Sequence, residues 1–238
     1  MSAHLNPGGQ QFRGDNGAAD ARVAAALAAY LAGEGSEHAA LTALSAARLL
    51  VPVVAVAADP PAAGARDEHS ADKNSEMVLP TLIGRDGRPA VLAFTCLDAL
   101  TRWRPQARPV PAEADRVWRA AAADACAVVI DVAGPVPLAV EGARLAALAA
   151  GRPVPLPHQD PDVRALVESA LAGEPAVAGF GLAPGVADGA DGADLAVTLR
   201  LAVIDWRPVV NRAADRLAAR LGARMRRGVE IRVEAAHD

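Results

Sequence analysis

The chain has 238 residues, 52% of them hydrophobic and 3% aromatic, with a net charge of -4 and two cysteines. That length admits one large domain or two small ones with real cores, and the mild charge gives no global attraction to nucleic acid or an anionic membrane. Two cysteines without a spaced framework argue against a disulfide scaffold and predict a reduced, cytosolic setting.

The first 18 residues are polar and Gly-rich, which predicts a disordered leader without the apolar core of a signal peptide. No run of about 18 apolar residues occurs elsewhere, so no membrane span is expected. Ala19 to Ala32 reads as a helix with Val23, Leu27, Tyr30 and Leu31 on one apolar stripe. Gly33-Glu34-Gly35 ends it, and Ser36 is placed to cap a second helix lined by Leu41, Leu44 and Ala47. Leu49 to Ala57 is a continuous Val-rich run, predicting a buried strand with Pro52 near its start or at an edge. Residues 59–75 form a long polar loop, a length that marks either disorder or function.

Leu79 to Trp103 is the most legible stretch. Two short apolar runs, Pro80 to Ile83 and Ala90 to Phe94, flank Gly84-Arg85-Asp86-Gly87, a hairpin signal. Thr95 and Asp98 then have capping-box spacing, so Thr95 is expected to cap a helix whose apolar side is Leu97, Leu100 and Trp103. The Pro-punctuated segment after Trp103 must be extended. Ala112 to Ala125 reads as a helix with Val117, Trp118 and Ala121 inward, Ala127 to Val132 as a buried strand, and Glu141 to Ala150 as a short helix carrying Leu145 and Leu148.

Gly151 to Pro157 reads as a linker. Beyond it, Asp162 to Ala172 is a helix, Ala176 to Leu182 and Leu195 to Val203 are strands around a Gly/Asp loop, Asp205 to Arg226 is a long helix and Val229 to Val233 a last strand. The class is α+β with α/β character: two small domains, at 19–150 and 158–238, with mixed sheets flanked by helices. The second is near the size where a lone core is marginal, so it is expected to lean on the first half or on a second copy, covering a sheet edge at Leu195–Val203 or Val229–Val233.

The residues LLVPVVAV, EMVLPTLIGRDGRPAVLAFTCLDALTRW and CAVVIDVAGPVPLAVEGARLAAL, in that order, resemble the SseB N-terminal domain family, of the enhanced-serine-sensitivity type. The resemblance spans roughly residues 20–150, and the second half is similar to the C-terminal domain that accompanies it. It implies an architecture and a cytosolic setting, and it transfers no catalytic residues.

No catalytic motif is apparent. Cys96, just inside a predicted helix start, is the sharpest enzyme candidate, because a helix N-terminus stabilises a thiolate. Free cysteines are most often simply buried, and no His lies nearby in sequence, so a structural role is favoured. Cys126 reads as core. The five histidines are scattered and suit no metal site. Gly179-Phe180-Gly181 with Gly185 fails the dinucleotide fingerprint, and Asp188, Asp191 and Asp194 lack the ligand alternation of a calcium loop. Arg212, Arg216, Arg220 and Arg224 recur at i+4 along the last helix, with Trp206, Val210, Ala213, Leu217 and Leu221 on its core side. Such a basic stripe could bind phosphates, but the acidic whole favours a solvated face.

The reading is a cytosolic protein without catalysis of its own, binding an unknown protein or small ligand, with no cofactor, metal or membrane and with a homodimer as an option. Its alternatives are a thiol enzyme using Cys96 and a nucleic-acid binder using Arg212, Arg216 and Arg220. The binding candidates are Lys73, Asn74, Ser75 and Glu76 at the end of the long loop, with Thr95 and Arg102 on the helix that follows the hairpin.

Overall fold

The computed structural model describes residues 12, 14–57, 75–84, 87–134, 136–186, 192–203 and 205–235, and for 55–57 and 75–78 it gives the backbone path. The chain divides into two compact units, one made of Met1–Asp20 and Ala46–Glu141, the other of Ala21–Ser45 and Gly142–Asp238. The division therefore does not fall at 151–157. The first two helices group with the C-terminal half, for reasons the ion pairs below make plain. All elements are α+β in arrangement, with mixed and antiparallel sheets.

In the first unit, β1 (Arg48–Ala57) is flanked on both sides. Its first half pairs antiparallel with β5 (Arg108–Glu113), and its second half with β2 (Ser75–Val78). Pro52 sits opposite Pro109, so two of the ladder's three prolines, none of which can donate, share one position, and Pro111 stands opposite Leu50. The Pro-rich stretch expected only to be extended is thus a true edge strand. A second sheet has the order β3-β4-β6-β7, from β3 (Thr81–Ile83), β4 (Pro89–Ala93), β6 (Ala127–Ile130) and β7 (Leu138–Val140). The hairpin is as expected: Ile83 pairs with Pro89, and the turn closes through Gly87 N to Gly84 O at 2.9 Å. β7, only three residues long with Leu138 and Val140 buried, follows β6 after the seven residues 131–137.

β4 and β6 run parallel, which demands a crossover. It is supplied by α3 (Leu97–Trp103), β5 and α4 (Ala114–Ala123). Val117, Trp118 and Ala121 bury the inner face of α4 as predicted, and Trp118 has no exposed surface. The two sheets are stitched by reciprocal bonds between Leu50 and Phe94, at 2.7 and 2.8 Å. A core of Leu50, Val54, Leu92, Phe94 and Leu100 fills the space beneath. Cys126, expected in the core, is only half-buried, because it precedes β6 on a turn rather than lying within the strand.

The second unit contains α1 (Ala21–Ala32), α2 (Glu37–Leu44), α5 (Gly142–Ala149), α6 (Pro161–Leu171) and α7 (Arg207–Leu221). They accompany a sheet of order β10-β9-β8, from β8 (Val177–Pro184), β9 (Leu195–Leu201) and β10 (Val229–Ala235). Ser36 caps α2 by accepting from Ala39 N at 3.1 Å, as expected. Leu31, expected inward, is 42% exposed: at i+8 from Val23 it has drifted off the stripe that Val23, Leu27 and Tyr30 bury. Trp206, assigned to the core, is also 42% exposed. It stands at the N-cap of α7, one residue before the helix begins, and Val209 takes the buried place. The Leu195 strand is central rather than an edge. It is antiparallel to β8 and parallel to β10, the latter connection made through α7. Val163, Val167, Leu195, Val197, Leu199 and Leu217 form the core between these helices and strands.

Candidate functional site

The parallel strands β4 and β6 end side by side, and polar groups collect at their carboxyl ends. In open α/β sheets this is where ligands are usually taken up. Asp131 follows β6 directly, is buried, and accepts from Thr95 twice, from the amide at 2.8 Å and from the hydroxyl at 2.6 Å. It holds a positive φ of 48°, which an Asp tolerates better than most residues. The turn closes through Gly134 N to Asp131 O at 2.7 Å, and a Cβ on Gly134 would stand 2.8 Å from that of Asp131.

Thr95 is therefore not the cap of α3. The N-cap position belongs to Cys96, which makes no side-chain cap bond, and Leu97 N is satisfied by Gly17 O at 2.8 Å. The capping-box signal failed because a buried carboxylate, 36 residues away in sequence, offers Thr95 a stronger, charge-assisted acceptor. Arg48 completes the cluster. It donates to Thr95 O at 3.1 Å, pairs with Asp15 at 2.7 Å and bonds Ala18 O. Residues 14–18, expected to belong to a disordered leader, are held here by those contacts.

Two predictions arise from this cluster. Thr95→Ala leaves one oxygen of a buried carboxylate without its donor and is expected to cost about 1–3 kcal/mol in urea unfolding, with Thr95→Ser recovering most of it. An unchanged midpoint in Thr95→Ala would mean the hydroxyl bond contributes nothing. The second concerns pH. Burial raises the Asp131 carboxyl above its ordinary range, against the opposing pull of its two bonds from Thr95. A carboxyl that holds its proton more tightly when folded gives its full stabilisation below the ordinary aspartate range. That stabilisation is lost as pH rises through the raised value. Stability from about pH 4 upward should thus carry a falling component. Asp131→Asn should flatten that component, and a slope identical to that of the parent chain would show that Asp131 does not titrate there.

The cluster is closed on itself: the carboxylate oxygens, the arginine and the helix's first amide all have protein partners. It fixes the strand ends and the segment at 14–18. Cys96 sits beside it, half-buried.

The other candidates point to a different locus. Lys73 and Asn74 lie outside the described residues. Ser75 and Glu76 enter β2, paired with Ala57 and Val56. After the two-residue break at Leu79-Pro80, the chain continues as β3. Among the described residues, β2 and β3 are each the outermost strand of their sheet, so residues 75–83 present backbone edges on two successive strands. Thr81 and Ile83 are exposed, Ile83 at 69%, the largest value among the exposed large hydrophobics. Arg102 is exposed on α3, well away in sequence from this edge.

The arginine stripe is largely engaged within its own unit. Arg212 forks onto Glu174 with bonds of 3.0 Å, Arg216 reaches the same carboxylate at 3.2 Å, and Arg220 bonds Ser169 at 3.1 Å. Those bonds from Arg212 hold the Glu174 carboxyl below its usual range. Arg224 goes deeper. It bonds Glu37 at 2.9 Å and Asp160 at 2.7 Å, and Glu37 in turn pairs with the buried Arg144. Asp160 caps α6 through Asp162 N at 2.8 Å, and Asp162 accepts from Ala143 N at 2.7 Å at the start of α5. Gly142 permits that approach, since a Cβ there would lie 2.1 Å from the Asp162 carboxylate and its φ is +58°. Sequence reasoning missed Glu37, Arg144, Asp160, Asp131 and Arg48. Arg48 and Asp131 are lone charges in apolar runs, Glu37 and Asp160 stand among other polar residues at helix starts, and in every case only burial reveals the role.

Among the described residues, no group of three or more His, Cys, Asp or Glu could hold a metal ion, and no helix is long and apolar enough to cross a membrane. The family model described as the SseB protein N-terminal domain matches residues 23–147. No curated protein and no solved structure matches the chain.

Proposed function

The chain belongs to the SseB family, and from that premise we propose that it is a binding protein without catalysis of its own, working in the cytosol. Its first unit takes up an extended segment of a partner protein along the edge formed by β2 and β3. The observation that carries this reading is that edge itself: two successive outermost strands ending in a 69% exposed Ile83. Strand addition of this kind takes affinity from main-chain hydrogen bonds and specificity from alternate side chains. Thr81 and Ile83, two residues apart, supply such alternation on one face. The strand-end cluster supports the reading in another way, since its polar groups satisfy each other and leave no free acid–base pair among them. The engagement of Arg212, Arg216 and Arg224 by carboxylates likewise argues against a phosphate-binding stripe.

The test is a selection of phage-displayed random peptides on the full chain, followed by calorimetry with the enriched sequences as synthetic peptides. Extended peptides with alternating apolar residues are expected to bind, and Ile83→Lys should weaken them about tenfold or more without altering the thermal melt. Peptides that bind Ile83→Lys as tightly as the parent chain, or a selection that enriches none, would overturn the reading.

A further inference from the structure

The two edges of the second unit's sheet are built differently. β8 is poorly suited to pairing with another strand. It is bulged between Val177 and Gly179, contains Gly179 and Gly181, and ends at Pro184. These are the devices by which proteins blunt a sheet edge. β10 has none of them. Its seven residues, VEIRVEA, pair with β9 in unbroken register, contain neither Gly nor Pro, and become exposed from Arg232 onward, with Val233 at 38%. Among the described residues, this regular edge, with Val229, Ile231 and Val233 alternating with charged residues, is left without a pairing strand on its outer side.

We propose that β10 is a dimerisation strand, and that its occupant is the β10 of a second copy of this chain, running antiparallel to join two three-stranded sheets into one of six. The charge pattern argues for this occupant. Val229 and Ile231 pack toward the unit's core, so Glu230 and Arg232 stand on the opposite face, where they bond each other at 2.8 and 2.9 Å. A two-fold axis through Ile231 places Arg232 opposite Glu230 of the second copy, twice by symmetry, and Val233 opposite its Val229. Within 229–233, each directly opposed pair is then either opposite in charge or apolar on both sides. An axis through Arg232 instead opposes arginine to arginine and Glu230 to Glu234. An axis through Val233 also opposes Arg232 to Glu234, but it sets Ile231 against Ala235, a poorer apolar match. The sequence of the strand is thus self-complementary in the register centred on Ile231, which is the requirement of an isologous interface. The pairing also covers Val233.

Sedimentation of the full chain over a range of concentrations should show a dimer. Glu230→Arg and Arg232→Glu, each alone, oppose like charges in both symmetric pairs. Each should raise the dissociation constant on the order of tenfold. Mixed in equal amounts, the two variants restore opposite charges across the axis and should form a heterodimer as tight as the parent dimer. The double swap in one chain should do the same. Thermal melts of the single variants should match the parent at concentrations where all are monomeric. A parent chain that stays monomeric throughout reserves the edge for some other polypeptide and overturns the proposal. A dimer indifferent to Glu230→Arg, or a mixture that fails to recombine, overturns it equally.

Discussion

Glu37→Ala is expected to cost about 3–5 kcal/mol of stability, the range for removing one member of a buried ion pair. Glu37 is buried at the start of α2, between Arg144 and Arg224. The substitution takes the carboxylate from both arginines at once and leaves Arg224 with Asp160 alone to balance it. Glu37→Gln, which keeps the volume and some hydrogen bonding, should fall between the two. The control is the exposed Arg88–Glu141 pair, where Arg88→Ala should change stability by no more than about 1 kcal/mol. Urea unfolding of the four chains decides the matter. A Glu37→Ala midpoint as close to the parent's as that of Arg88→Ala would mean that the buried pairs contribute no more than surface ones.

Residues 158–238 expressed alone should not fold cooperatively. That fragment has its own sheet and two of its helices, which is why it reads as a domain in sequence. It lacks Glu37 for Arg224, and it lacks the hydroxyl of Tyr30, which donates to Ala223 O at 2.6 Å. Without α1, α2 and α5 it would expose apolar surface and leave the partly buried Arg224 half-paired. Scanning calorimetry and sedimentation of the fragment are the measurements. A soluble, monomeric fragment with a sharp transition at the temperature of the whole chain would show that the residues 21–45 are ornamental to this unit.

Much of the fold was legible because local signals and tertiary demands agree. The hairpin at 81–93 is declared by a Gly-flanked turn between apolar runs, and α4 by Val117, Trp118 and Ala121 at helical spacing. Where the two conflict, the sequence misleads. Thr95 has the spacing of a cap, but Asp131 outbids the local amide. The segment 151–157 has the composition of a linker, yet Val154 within it is buried. Neither Glu37 nor Arg144 announces that it will meet the other 107 positions away, because a pairing at that range leaves no periodic trace. The candidate binding edge was half legible: the residues leading into it stand out as polar and charged, while the edge position of β2 and β3 depends on which strands pair, and that is a property of the whole topology.

The interleaving of the two units also dictates a timetable. The chain enters the second unit at Ala21, leaves it at Ser45 and does not return until Gly142. On the ribosome, α1 and α2 emerge early with their apolar stripes made and their partners unwritten. Glu37 must wait for Arg224 while 187 further residues are added, roughly 10–40 s at ordinary elongation rates. During that interval the segment from Ala46 to Glu141 can complete its sheets, whereas the helix pair before it remains a nascent client, kept from aggregation by chaperones or by its own shortness. Slowing synthesis anywhere between Glu37 and Arg224 lengthens that exposure, and slowing it before Glu37 does not.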